Sequence, residues 1–94
     1  MGELVVRLAE DRFVVWSDTV DAPTSRVMTG DAMVSFLAPR AEVGMEKAAA
    51  LVRFATDVGT SDPTVTLDDV LRANRAGPDG TTLSAEEIVR AYSS

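Results

Sequence analysis

Glu3-Leu4-Val5-Val6-Arg7-Leu8-Ala9-Glu10-Asp11-Arg12-Phe13-Val14-Val15-Trp16-Ser17 is the stretch that decides the fold class. Leu4, Val6 and Leu8 alternate with Val5, Arg7 and Ala9, and a period of two places them on opposite faces of a strand. Phe13, Val14, Val15 and Trp16 follow as a run of β-branched and aromatic residues, dense enough for a strand covered in part on both faces. Only Glu10 and Asp11 separate the two runs, and so short a connection forces antiparallel pairing. Residues 3–17 are therefore predicted to form a β-hairpin.

Residues 18–25 read as a loop. Pro23 turns Ala22 away from helical dihedrals and brings no ladder donor. Arg26-Val27-Met28 is apolar enough for a short third strand, and Thr29 then stands where a helix N-cap belongs, with Asp31 in the first turn. Met33, Phe36 and Leu37 fall at i, i+3 and i+4 on that helix, which is expected to stop near Pro39. A second helix is expected from about Val43 to Asp57, with Met45, Ala48, Leu51, Val52 and Ala55 on its inner stripe and Gly59 ending it. Thr66 caps a third helix facing inward through Leu67, Val70, Leu71 and Asn74. Gly77-Pro78-Asp79-Gly80 stops it, and Ser84-Ala85-Glu86-Glu87 is a capping box that starts a fourth, packed through Ile88, Val89 and Tyr92. Strands first and helices after indicate one α+β domain over residues 1–94. Its N-terminal antiparallel hairpin would pack on one face against three to four short helices.

Composition limits the chemistry. The 94 residues carry nine basic and fifteen acidic side chains, a net charge of -6, with 46% hydrophobic residues and neither Cys nor His. Disulfides, thiol nucleophiles, a Ser-His-Asp triad and the usual zinc and haem ligands are thereby excluded. Catalysis would have to rest on carboxylates, Tyr92, Lys47 or arginines, so the expectation is that the chain is not an enzyme and uses no cofactor. No segment is basic, which argues against nucleic acid and anionic membranes as partners. The absence of a basic, apolar leader pattern and of any long uncharged run points to a cytoplasmic protein.

Two places invite a binding role. Residues 16–26 carry the single Trp on a loop supported by the hairpin, and Trp and Arg are favoured as interface anchors. Trp16, Asp21 and Arg26 are candidate partner-binding residues there, against the plainer reading that Trp16 caps the core and the aspartates make turn bonds. Phe54 is the other. It lies off the apolar stripe beside Arg53, and either widens the buried face or stands out as a contact residue. Ala48-Ala49-Ala50 would let another helix approach closely, from the same chain or from a second copy in a homodimer.

Residues 75–86 suggest an EF-hand loop. With Gly80 at the sixth position, Asp79 takes the fifth and Glu86 the twelfth, but Arg75 occupies the first and Gly77 the third. A cation where the first ligand belongs, and no carboxylate at the third, argue against a metal site; a Gly-Pro stop followed by a capped helix accounts for every residue.

Residues 14–23 (Val-Val-Trp-Ser-Asp-Thr-Val-Asp-Ala-Pro), Val27-Met28-Thr29, Asn74-Arg75-Ala76-Gly77-Pro78-Asp79 and Leu83-Ser84-Ala85-Glu86-Glu87-Ile88 resemble a group of small uncharacterised proteins of actinobacteria and their phages. The resemblance covers both ends of the chain and little of residues 38–60. It implies a size class and a source but no activity. For a phage protein, the expected role is to bind and modulate a host cytosolic protein; a minor virion or assembly component, a nucleic-acid-mimicking inhibitor and a small carboxylate-dependent enzyme are the alternatives.

Overall fold

The computed structural model describes residues 3–40 and 44–93. β1 (Glu3–Ala9) and β2 (Arg12–Ser17) form the expected hairpin, followed by β3 (Ala22–Pro23), α1 (Gly30–Arg40), α2 (Gly44–Val58), α3 (Leu67–Ala73), a 3₁₀ turn (Pro78–Gly80) and α4 (Ala85–Tyr92). The sheet is antiparallel with order β1-β2-β3. The architecture is α+β.

The hairpin register sets Leu4 opposite Trp16 and Val6 opposite Val14, with Val5 opposite Val15 and Arg7 opposite Phe13. Each pair shares a face, so the sheet has two apolar sides. On one, Leu4, Val6, Leu8, Val14 and Trp16 pack with Val27, Val70 of α3 and Ile88 of α4. On the other, Val5, Phe13 and Val15 pack with Met33 of α1 and with Val52 and Ala55 of α2. Helices cover both faces, which corrects the expectation of one covered face. The physical reason lies in β2, where Phe13 and Val15 need a cover of their own and Arg7 opposite Phe13 does not supply it. Burial of each such Val, Leu, Ile or Phe contributes about 1.5–3 kcal/mol.

Both outer edges of the hairpin are closed. Beside β1, the Arg7 N–H donates to the Gly59 carbonyl at 2.9 Å, Val6 bridges Thr60, and Ser61 Oγ accepts the Val5 N–H at 2.8 Å. Beside β2, Ser25 Oγ accepts the Val15 N–H at 2.9 Å, while Phe13 and Met28 exchange two backbone bonds of 2.8 and 2.9 Å. Seryl hydroxyls thus replace ladder carbonyls on both sides and leave few free edge groups for another strand. This also moves the third strand. It is Ala22–Pro23, against Ser17 and Trp16, and the expected Arg26-Val27-Met28 strand is reduced to one bridge at Met28. With Ser25 Oγ standing in at Val15, the chain between Thr24 and Met28 has no further ladder to join, and Pro23 fits because an edge strand tolerates a missing donor.

The helix ends follow their local chemistry. Thr29 Oγ1 accepts the Ala32 N–H, and Asp11 Oδ1, at the hairpin tip, accepts the Gly30 N–H at 2.9 Å, fixing α1 to the turn. α1 ends at Arg40, one residue after Pro39, close to the expected stop. The expected start of α2 at Val43 lies outside the described residues. On α2, Ala48, Val52 and Ala55 are buried as expected, but Met45 is 58% exposed, a correction to its place on the inner stripe. Met45 sits in the first turn of α2, at the margin of the apolar cover. Gly59 ends the helix with φ +101°, and a Cβ there would fall 2.9 Å from Leu67 Cβ, so glycine is required on two counts.

Candidate functional site

The expected contact residues separate. Trp16 is 2% exposed and belongs to the core between the sheet and α3 and α4. Its place as a contact residue is corrected: the ring is spent on packing and can meet a partner only if the core opens. Asp21 is half-buried in a turn with φ 55°, and its backbone carbonyl accepts the Arg75 N–H at 2.7 Å. That bond ties the loop after β2 to the loop after α3. Arg26 and Phe54 remain on the surface, on different elements.

Arg26 lies on the chain that bows away from β2, and this bow opens a groove against α1. The groove has a volume of about 470 Å³ and is lined by Thr24, Ser25, Arg26 and Met28 on one wall and by Ala32, Ser35, Phe36 and Arg40 on the other. Ser25 is held by Val15, and Met28 by its two bonds to Phe13, so this wall is anchored to the sheet at both ends. On α1, the Arg40 guanidinium lies over the Phe36 ring at 4.3 Å from its centroid, a cation–π contact one turn apart. An adjoining cleft of about 270 Å³ shares Thr24, Phe36 and Arg40 and reaches Glu3, whose carboxylate accepts the Thr24 hydroxyl at 3.2 Å. Neither Arg26 nor Arg40 is ion-paired among the described residues, where Arg72 with Asp68 and Asp69 makes the only such contacts.

Phe54 is 37% exposed on the outer side of α2, beside a shallow depression of about 380 Å³ formed with Glu46, Ala49, Ala50, Arg53 and Asp57. Of its two expected positions it takes the outer one, at the rim. Phe36 packs against the edge of the core, as its place beside Met33 and Leu37 predicts, and lines the groove as well; its role there and that of Arg40 were not foreseen. Their spacing of four on one helix was the available signal.

Residues 74–84 are organised around a side chain rather than an ion. Asn74 is fully buried and binds the backbone of Leu71, Ala76 and Leu83, while Thr82 and Tyr92 close the loop through bonds to the carbonyls of Asn74 and Ala76. Asp79 is exposed with φ 57° inside the 3₁₀ turn, and the Glu87 carboxylate is engaged by Ser84. Among the described residues, no three Asp, Glu, His or Cys side chains are grouped closely enough to hold a metal ion. No helix among them is long and apolar enough to cross a membrane.

No family model, curated protein or solved structure matches this chain.

Proposed function

We propose that this chain is a non-catalytic protein–protein interaction module whose contact surface is the groove between residues 24–28 and α1. The observation that carries the reading is the pair of guanidiniums, Arg26 and Arg40, lining one open groove without a carboxylate partner among the described residues, on a chain of net charge -6. Exposed arginines without ion pairs retain their five donors each for an incoming carboxylate or carbonyl. Phe36 beneath Arg40 and Met28 on the opposite wall add apolar surface. The fitting partner is a protein segment with acidic residues next to an apolar one. A host protein of a phage-infected cell as that partner rests on the sequence resemblance alone.

A photo-crosslinking amino acid placed at Ser35, inside the groove, tests this against the same group at Arg90, on the exposed side of α4. The expected result is a discrete crosslinked protein from Ser35 and not from Arg90, lost when Arg26→Glu and Arg40→Glu are combined. The same proteins captured from both positions, or capture insensitive to the two charge reversals, would rule out the groove as the contact surface.

A further inference from the structure

The outer face of α2 has a symmetry of its own. Measured from the midpoint between Ala49 and Ala50, Glu46 lies as far toward the N-terminus as Arg53 lies toward the C-terminus, and Met45 as far as Phe54. Glu46 and Arg53 are seven residues apart, about two turns, so they lie on one stripe with the two alanines between them. That stripe points away from the core: Ala48, Val52 and Ala55 are buried, whereas Glu46, Ala49, Ala50 and Arg53 are exposed.

We propose that two copies of this chain associate through this face, α2 against α2, antiparallel about a two-fold axis passing between Ala49 and Ala50. An isologous interface must be complementary to itself, and the operation that closes it carries each end of the stripe onto the other. Glu46 then meets the partner subunit's Arg53, and the partner subunit's Glu46 meets Arg53. A parallel pairing would instead set Glu46 on Glu46 and Arg53 on Arg53, so the charge pattern selects the antiparallel arrangement. Ala49 and Ala50 have no side chain beyond Cβ and let the two backbones come as close as helices pack, about 8 Å between axes. Phe54, 37% exposed, and Met45, 58% exposed, are nine residues apart, half a turn round the helix, and so flank the stripe on opposite sides at the rim of the interface.

One helix pair is small against the roughly 800 Å² per partner of a standard interface, so the association is weak and concentration-dependent. The face shares no lining residue with the Arg26 groove, so the two readings fail independently.

Sedimentation equilibrium of the full chain, run up to about 1 mM, measures the association directly. The expected result is a reversible dimer. Glu46→Arg alone and Arg53→Glu alone each weaken it by about tenfold or more, because either change turns both cross-interface attractions into repulsions. Combining them restores the dimer to within about threefold of the original chain. All four positions of the stripe are exposed, so circular dichroism should show an unchanged fold in each variant. A monomer over the whole concentration range would overturn the proposal. So would a dimer indifferent to the single reversals, or one that the double reversal does not restore.

Discussion

Asn74 pairs with Leu83 as a neighbouring strand would. Its Nδ2 donates to the Leu83 carbonyl at 2.8 Å, and the Leu83 N–H donates to its Oδ1 at 2.9 Å. The same Nδ2 donates to the Leu71 carbonyl at 2.6 Å, so one buried amide joins the end of α3 to the approach of α4. Replacing it by Ala leaves the N–H groups of Leu83 and Ala76 and two carbonyls without these partners, each costing about 1–3 kcal/mol if water does not reach it. Asn74→Ala is expected to lower stability by about 3 kcal/mol in urea unfolding. Asn74→Asp should be damaging as well, since it keeps an acceptor for Leu83 but sets a carboxylate against two carbonyl oxygens. A loss below about 0.5 kcal/mol for both variants would show that the loop holds without this amide.

Trp16 is predicted to act through the core. Its ring should emit at short wavelength and resist quenching by iodide, because water has no access to a side chain exposed by 2%. Trp16→Ala should destabilise by about 3–5 kcal/mol, and Trp16→Phe by considerably less. Emission near that of free tryptophan, with efficient quenching, would return Trp16 to the surface.

The hairpin and the four helices were legible because each was signalled locally, by alternation of residue type in β1, by caps at Thr29, Thr66 and Ser84 for α1, α3 and α4, and by the apolar stripe of α2. What the sequence did not show depends on contacts far apart along the chain. Ser25 and Ser61 look like loop residues, yet each supplies an acceptor to a strand N–H, and that substitution decides where the third strand lies. The same holds for Asn74, read as one more position on the inner face of α3; its role as a hub needs Leu83, nine residues on, to fold back against it. The groove was half visible. Arg26 stood out as a cation on a loop, but Arg40 and Phe36 join it only through the placement of α1 against the bow after β3.

Gly59 should tolerate no side chain. Its φ of +101° and the 2.9 Å that would separate an added methyl from Leu67 Cβ act together, and the Gly59 carbonyl also accepts the bond from Arg7 that closes the edge of β1. Gly59→Ala is expected to cost more than about 1 kcal/mol, from backbone strain alone. Gly44 offers the control. It too has positive φ, at +80°, but open space around it, so Gly44→Ala should cost less than Gly59→Ala. Equal losses in thermal unfolding would mean that the contact with Leu67 contributes nothing.

Acid should loosen α4 at its first turn. The Glu87 carboxylate accepts the Ser84 N–H at 2.8 Å while Ser84 Oγ accepts the Glu87 N–H, and the Ser84 backbone and then its side chain hold the Glu87 pKa below its ordinary value. Asp62 is lowered likewise, first by the Thr64 hydroxyl and then by the Thr64 N–H. A carboxylate whose pKa is lower folded than unfolded stabilises the fold above the unfolded value and loses that contribution as the pH falls through the folded one. Stability should therefore drop between about pH 5 and pH 3, around and below the ordinary glutamate value. Glu87→Gln keeps an oxygen acceptor for the Ser84 N–H but cannot titrate, so it should flatten part of that decline, leaving the share due to Asp62. Ser84→Ala should cost about 0.5–2 kcal/mol near neutrality and remove the Glu87 shift that depends on its hydroxyl. Urea unfolding of the three proteins across this range decides the matter. Parallel acid limbs for the original chain and Glu87→Gln would show that the box does not sense pH.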